Sequence, residues 1–262
     1  MRQPARGVSR LLPQWNRIAA KIRAHSRVVV FLDFDGTLVA IAPRPEQVRL
    51  TPAARSILRR LARHPRVTLV MISGRRRVEL LKHVGIWGIY YFGLYGWERA
   101  GTCSLPARVR AALRRARVQL QQHLRAYPTV WIESKRSSLS VHLLDVPAAI
   151  QPHIRRELRA WLKPFRRTLR TVENLRDVEV LPRSIPGKGL AVRRFLAQPA
   201  FRLAFPLYFG DDYSDESAFA AVRRGISVHV GKPRPTLARY HVRSPAEVAK
   251  ALTKLEAALS ED

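Results

Sequence analysis

The stretch Val28 to Leu38 reads VVVFLDFDGTL. Its first five residues, Val28 to Leu32, form an unbroken apolar run rich in β-branched side chains, which suits a strand buried on both faces. The run stops at Asp33, and a second aspartate, Asp35, follows before Gly36 and Thr37. Side chains alternate along a strand, so Asp33 and Asp35 project the same way if extension continues, while Gly36-Thr37 favours a turn. Two carboxylates held together at the end of a buried strand are costly unless something positive binds between them. A divalent metal and a phosphate group together meet that demand.

Residues 206–216, PLYFGDDYSDE, repeat the arrangement. Leu207–Phe209 reads as a short buried strand, Gly210 permits a turn, and Asp211, Asp212 and Asp215 follow. The chain has 19 acidic residues against 48 basic ones, so five aspartates at the ends of two apolar strands are not background. In an open parallel sheet the carboxyl ends of the strands share one edge, where ligands bind. Two acidic strand ends there would make one divalent-metal site. An aspartate in the first turn of a helix over 214–222 also suits the helix dipole, a role open to some of the three. Val67–Arg75, VTLVMISGR, is another β-rich run, and its Ser73 hydroxyl and turn amides suit phosphate oxygens. Lys188, between Gly187 and Gly189 at a predicted helix start, can offset phosphoryl charge.

In that order, DxDGT, a strand ending in Ser, a lone Lys and GDDxxD, the chain resembles the haloacid dehalogenase superfamily. It is most similar to the trehalose-6-phosphate phosphatase family, which carries a cap of the C2 type. The segments FLDFDGTLVAIAPRPEQV, VMISGR, YYFGLYGWERAG, ESKRSSLSVHLLD, PGKG and YFGDDYSDESAF carry the resemblance, together with the tail VGKPRPTLARYHVRSPAEVAKAL. It implies a Mg²⁺-dependent phosphatase that releases trehalose from trehalose 6-phosphate through an aspartyl-phosphate. Asp33 would be the nucleophile, and Asp35 the acid for the leaving sugar oxygen and then the base for water. Mg²⁺ would be held by Asp33, the backbone carbonyl of Asp35, and Asp211. Asp212 and Asp215 would stand behind them, with Asp215 holding Lys188 or a metal-bound water. Ser73 and Lys188 would hold the phosphoryl group. Substrate contacts would come from Gly74 and Arg75 after the serine, and from Glu133, Lys135, His142 and Glu179 in the cap.

The departures concentrate near substrate-contacting elements. Tyr95 replaces a histidine in Gly93-Leu94-Tyr95-Gly96, Glu133-Ser134-Lys135-Arg136 stands for ENKG, and Leu144 replaces an arginine. Ser214 and Ser217 stand where Thr and Asp are usual. The catalytic residues are intact, so a different sugar phosphate, or glucosyl-phosphoglycerate, is the alternative substrate.

Alternating strands and helices over 26–101 and 184–262 predict an α/β fold, a Rossmann-like doubly wound parallel sheet. Residues 102–183 break that rhythm and predict an inserted, smaller α+β cap, and residues 1–25 a basic N-terminal extension. The sequence carries 262 residues and a formal net charge of +29, a balance expected of a nucleic-acid binder. Its arginines are spread over nearly every predicted helix, with no zinc-ligand set or RNA-recognition motif, so no specific nucleic-acid partner is expected. The lone Cys103 excludes an intramolecular disulfide and fits a reducing compartment. No apolar run has the length of a membrane span and no signal-peptide core follows the N-terminal arginines, so a cytoplasmic enzyme is expected. No synthase-like segment is present, so coupling to a trehalose-phosphate synthase would require a separate protein.

Overall fold

The computed structural model describes residues 8–42, 44–99, 104–135 and 137–260, so Cys103, Arg136 and the start of the N-terminal segment lie outside the described residues. The chain divides into two compact units, Met1–Ala100 with Pro186–Asp262, and Gly101–Ile185.

Along the first unit run β1 (Ser9–Arg10), α1 (Trp15–Arg23), β2 (Val28–Leu32), α2 (Pro52–Arg63), β3 (Val67–Ile72), α3 (Arg77–His83) and β4 (Ile89–Phe92). The second unit holds α4 (Ala107–His123), β5 (Trp131–Ser134), β6 (Leu139–His142), α5 (Gln151–Trp161), β7 (Leu169–Glu173) and β8 (Asp177–Pro182). The first then resumes with α6 (Lys188–Leu196), β9 (Phe205–Gly210), α7 (Glu216–Ala221), β10 (Ile226–Val230), β11 (Tyr240–Val242) and α8 (Pro245–Ser260).

The first unit is a seven-stranded sheet in the order β1-β11-β10-β9-β2-β3-β4, with every pair parallel. A parallel sheet must be covered on both faces, and β2 shows it: all five of its residues are buried. Val28, Val30 and Leu32 enter one core cluster with α1, α2 and α8, while Val29 and Phe31 enter the other with α6 and α7. Leu11, Trp15, Ile18 and Ile22 of the N-terminal segment are part of the first cluster. The short strands β1 and β11, at one end of the sheet, carry no usable periodicity and were not foreseen.

From β2 the chain winds outward to β3 and β4, then returns to β9, on the opposite side of β2. The order therefore reverses between β2 and β9, which opens a crevice at their carboxyl ends. Their register pairs Leu32 with Phe209, and the Asp33 amide donates to the Phe209 carbonyl at 3.0 Å. Asp33 and Asp211 are thus delivered side by side to that crevice.

The second unit is a four-stranded antiparallel sheet, β5-β6-β8-β7. Within it β5 and β6 pair antiparallel. β7 and β8 form an antiparallel hairpin. Cross-strand partners share a face, and the register aligns Glu133, Ser140 and Glu179 in one row and Trp131, His142 and Asp177 in the next. These polar and aromatic side chains therefore occupy one face, with buried Leu139, Val141, Val178 and Val180 on the other.

Candidate active site

Each catalytic candidate of the first unit is set by where its strand or helix ends. Asp33 follows β2, Ser73 follows β3, Asp211 follows β9, and Lys188 opens α6 after Gly187, whose φ of +89° suits glycine. The Lys188 Nζ lies 2.9 Å from Asp33 Oδ1 and 2.7 Å from Asp215 Oδ1. All three of these side chains are buried, and so is Asp211. Asp33, Asp211 and Asp215 each offer a carboxylate oxygen within 4.8 Å of the others.

The charges of this group do not balance by themselves. Burial, reinforced by Asp215 and Asp35, pushes Asp33 up to about 7 against the opposing pull of Lys188. Burial pushes Asp211 well above the usual carboxylate range, and Asp33, Asp212 and Asp215 add to the effect. Burial would lower Lys188, but the two carboxylates it bridges outweigh that and keep it charged. Three buried carboxylates facing one ammonium fit a hard divalent cation, because oxygen donors of this kind are its preferred ligands. Asp215 is already committed: its Oδ1 accepts from Lys188 and, at 2.6 Å, from the Tyr208 hydroxyl, while Oδ2 accepts from the Asp212 amide at 3.0 Å. Asp33 and Asp211 are left with the capacity to bind a cation. Tyr208 escaped the sequence reading because it sits inside an apolar strand. Its only signal was a hydroxyl in a buried run.

Asp35 is not part of this buried group. Arg75 Nε and Nη2 donate to its two oxygens at 2.6 and 2.7 Å, a bidentate fork. The guanidinium also lies over the Phe34 ring, 5.4 Å from its centroid. Arg75, expected at the substrate, is engaged with Asp35. The Ser73 hydroxyl accepts from the Arg75 amide at 3.1 Å, which shapes the turn between them.

Two departures from the family pattern have visible roles. Tyr95, at φ +58°, is buried, and a Cβ built on Gly74 would sit 2.9 Å from its hydroxyl, so the ring packs against the Ser-Gly-Arg turn. The Ser217 hydroxyl accepts from the Gly189 amide at 3.1 Å, which ties the start of the Lys188 helix to α7. Asp212 acts locally, accepting from the Tyr213 amide as a cap.

In the second unit the four cap candidates form one cluster. Lys135 Nζ lies 2.6 Å from Glu179 Oε1 and 3.8 Å from Glu133 Oε2, and His142 Nε2 lies 2.9 Å from Glu133 Oε2. The His142 ring stacks on Trp131 at 3.7 Å between centroids. Burial pushes Glu179 up to about 7, with Asp177 and Glu133 adding and Lys135 opposing. Burial would lower Lys135, but the surrounding carboxylates hold it above its ordinary value, so the cluster keeps a charged ammonium. Among the described residues Glu179 Oε2 is buried without a hydrogen-bond partner. Leu144 is exposed.

A family model described as Trehalose-phosphatase matches residues 31–247. The chain is 30% identical over 255 residues to trehalose 6-phosphate phosphatase RA3 of Zea mays, covering 87% of the chain and 70% of that protein. It is 32% identical over 246 residues to a trehalose-phosphate phosphatase of Mycobacterium tuberculosis, covering 88% of the chain and 62% of that protein. Among solved structures, the C-terminal domain of trehalose-6-phosphate phosphatase from C. albicans matches with a TM-score of 0.83 at 20% identity, over 97% of the chain and 99% of that domain. The sucrose-phosphatase of Synechocystis shares the fold at a TM-score of 0.55 and 20% identity, over 88% of the chain and 98% of that structure.

Proposed function

The chain belongs to the trehalose-phosphatase family, phosphoric monoester hydrolases of the haloacid dehalogenase superfamily, and we propose that it hydrolyses trehalose 6-phosphate to trehalose and phosphate with Mg²⁺. The observation that carries this reading is the Lys188 ammonium bridging Asp33 and Asp215 beside Asp211 at the strand switch point.

Asp33 attacks phosphorus in line, forming the aspartyl–phosphate bond as the bond to the sugar oxygen breaks. Asp35 delivers its proton to that oxygen, then takes one from the water that attacks the acyl phosphate, which frees phosphate and restores Asp33. Arg75 occupies both Asp35 oxygens, so this fork positions Asp35 and must release one oxygen for the proton transfers. Lys188 and Ser73 hold the phosphoryl oxygens. Asp33, the Asp35 carbonyl and Asp211 would hold Mg²⁺, which supplies charge neutralisation for the phosphoryl group. Asp215 fixes Lys188, and the Tyr208 hydroxyl fixes Asp215.

Sugar recognition is assigned to Glu133, Lys135, His142 and Glu179. Convergent donors and acceptors on one sheet face suit hydroxyl groups, and the unpartnered Glu179 Oε2 is an acceptor ready for one. Among the described residues no helix is long and apolar enough to cross a membrane. A cytoplasmic enzyme fed by a separate synthase is consistent with this reading.

Phosphate release from trehalose 6-phosphate, sucrose 6-phosphate, glucose 6-phosphate and glucosyl-3-phosphoglycerate, with Mg²⁺ and with EDTA, tests the proposal. Selective, EDTA-sensitive release from trehalose 6-phosphate is expected. Preference for another sugar phosphate would reject the substrate and keep the chemistry, while turnover by Asp33→Asn would reject the chemistry.

A further inference from the structure

The second unit carries a feature that hydrolysis does not use. Between the carboxyl end of α5, the turn that follows it and the edge strand β7 lies a cavity of about 350 Å³. Its lining includes Arg159, Lys163, Arg166, Arg170 and Arg183, and holds no carboxylate among the described residues. Arg167 borders an adjoining hollow with Lys163 and Arg166. Glu173 pairs with Arg159 and offsets one of these charges. Leu169 and Val180, both buried, give the cavity an apolar floor.

Cations gathered this closely repel one another and raise the free energy of the unliganded surface. The cost persists in a fold that could have spread them, as it does elsewhere on a chain of net charge +29. The backbone orients several members: Arg183 Nε donates to the Arg166 carbonyl at 2.6 Å, and Arg170 Nη2 to the Ile185 carbonyl at 3.1 Å. Guanidinium groups are suited to phosphate oxygens, which they bind in pairs. The cavity is concave and of the size of a small-molecule site, whereas a nucleic-acid surface needs an extended track of charge.

We propose that this cavity is a binding site for a compact polyanion carrying two or more linked phosphate groups, separate in residues from the Asp33 centre. A single phosphate cannot engage cations on α5, the following turn and β7 together, so affinity rises with the number of linked phosphates.

The test is calorimetric titration of the intact protein with inorganic triphosphate, and with orthophosphate, at about 0.15 M salt, where the Debye length of about 8 Å screens remote charges. Stoichiometric binding of triphosphate, at least tenfold tighter than orthophosphate, is expected. The double variant Lys163→Glu with Arg166→Glu should weaken it tenfold or more. The control Arg59→Glu with Arg63→Glu, on the exposed face of α2, changes net charge equally and should weaken it less than threefold. Circular dichroism verifies that both variants fold, and Lys163→Gln with Arg166→Gln serves if charge reversal unfolds the unit. Equal loss in both double variants would overturn the proposal, because the attraction would then belong to the whole molecule. Undiminished binding in the Lys163 and Arg166 variants would also overturn it, because triphosphate would then bind elsewhere on the protein. Tighter, multiple binding along a single-stranded RNA than to triphosphate would replace the cavity with a nucleic-acid surface.

Discussion

Replacing Asp33 by asparagine should abolish turnover and stabilise the metal-free protein, and the gain should grow with pH. Burial raises Asp33 from the ordinary 3.8 to about 7, so the folded state binds a proton that the unfolded chain has already released over that interval. A carboxyl raised in this way contributes stability fully present below pH ~4 and lost as pH climbs through 7. At about 1.4 kcal/mol per pH unit, the displacement bounds the loss at about 4 kcal/mol above pH 8. Asparagine is nearly isosteric with the protonated acid and never ionises. It forfeits the charged bond to Lys188 (2.9 Å), which Asp215 partly replaces, so we expect a net gain of about 2–3 kcal/mol. Urea unfolding of both proteins in EDTA, at pH 5 and pH 8, measures it. Taking the difference between the proteins cancels the background of a strongly basic chain. The variant should match the wild type at pH 5 within about 1 kcal/mol and exceed it at pH 8. A difference that is flat with pH, or a less stable variant at pH 8, would refute the view that Asp33 is held in an electrostatically costly environment.

Mg²⁺ at a hundredfold excess over its dissociation constant should raise the unfolding free energy of the wild type, measured by urea unfolding, by about 2.7 kcal/mol, and Asp211→Asn should remove most of that gain. Gly36→Ala puts a Cβ 1.9 Å from Asp211 Oδ2 at a φ of +77°. Turnover should fall about a hundredfold, the scale of a misplaced catalytic group, and normal steady-state rates would show that the turn can move aside. Arg75→Lys exchanges a two-pronged fork for a point charge, so kcat should fall roughly tenfold or more with KM changed less than about threefold. A change mainly in KM would return Arg75 to the substrate. Lys135→Met leaves Glu179 buried beside two other carboxylates and should destabilise the chain by about 3 kcal/mol. Adding Glu179→Gln should restore melting temperature without restoring KM for trehalose 6-phosphate.

The sequence by itself determined the parallel sheet and singled out Asp33, Lys188 and Asp211, which the fold brings together. Strands such as Val28–Leu32 are apolar throughout because both of their faces are buried, and that pattern needs no long-range information. Asp33 and Asp211 were legible because carboxylates are out of place at the ends of such runs. The short strands Ser9–Arg10 and Tyr240–Val242 were not legible: at two and three residues they owe their existence to pairing with their neighbours. Register was equally invisible, and register alone lines up Glu133, Ser140 and Glu179 across three strands. Only the tertiary structure decided how charges are shared. It gave Arg75 to Asp35, Tyr208 to Asp215 and Ser217 to the amide that opens the Lys188 helix. It also gathered Arg159, Lys163, Arg166, Arg170 and Arg183, from the end of α5, the turn after it and the β7–β8 hairpin, around one cavity. Local propensity and periodicity act over a few residues, whereas an ion pair or a shared pocket depends on segments far apart in the chain that meet only after the sheets have formed.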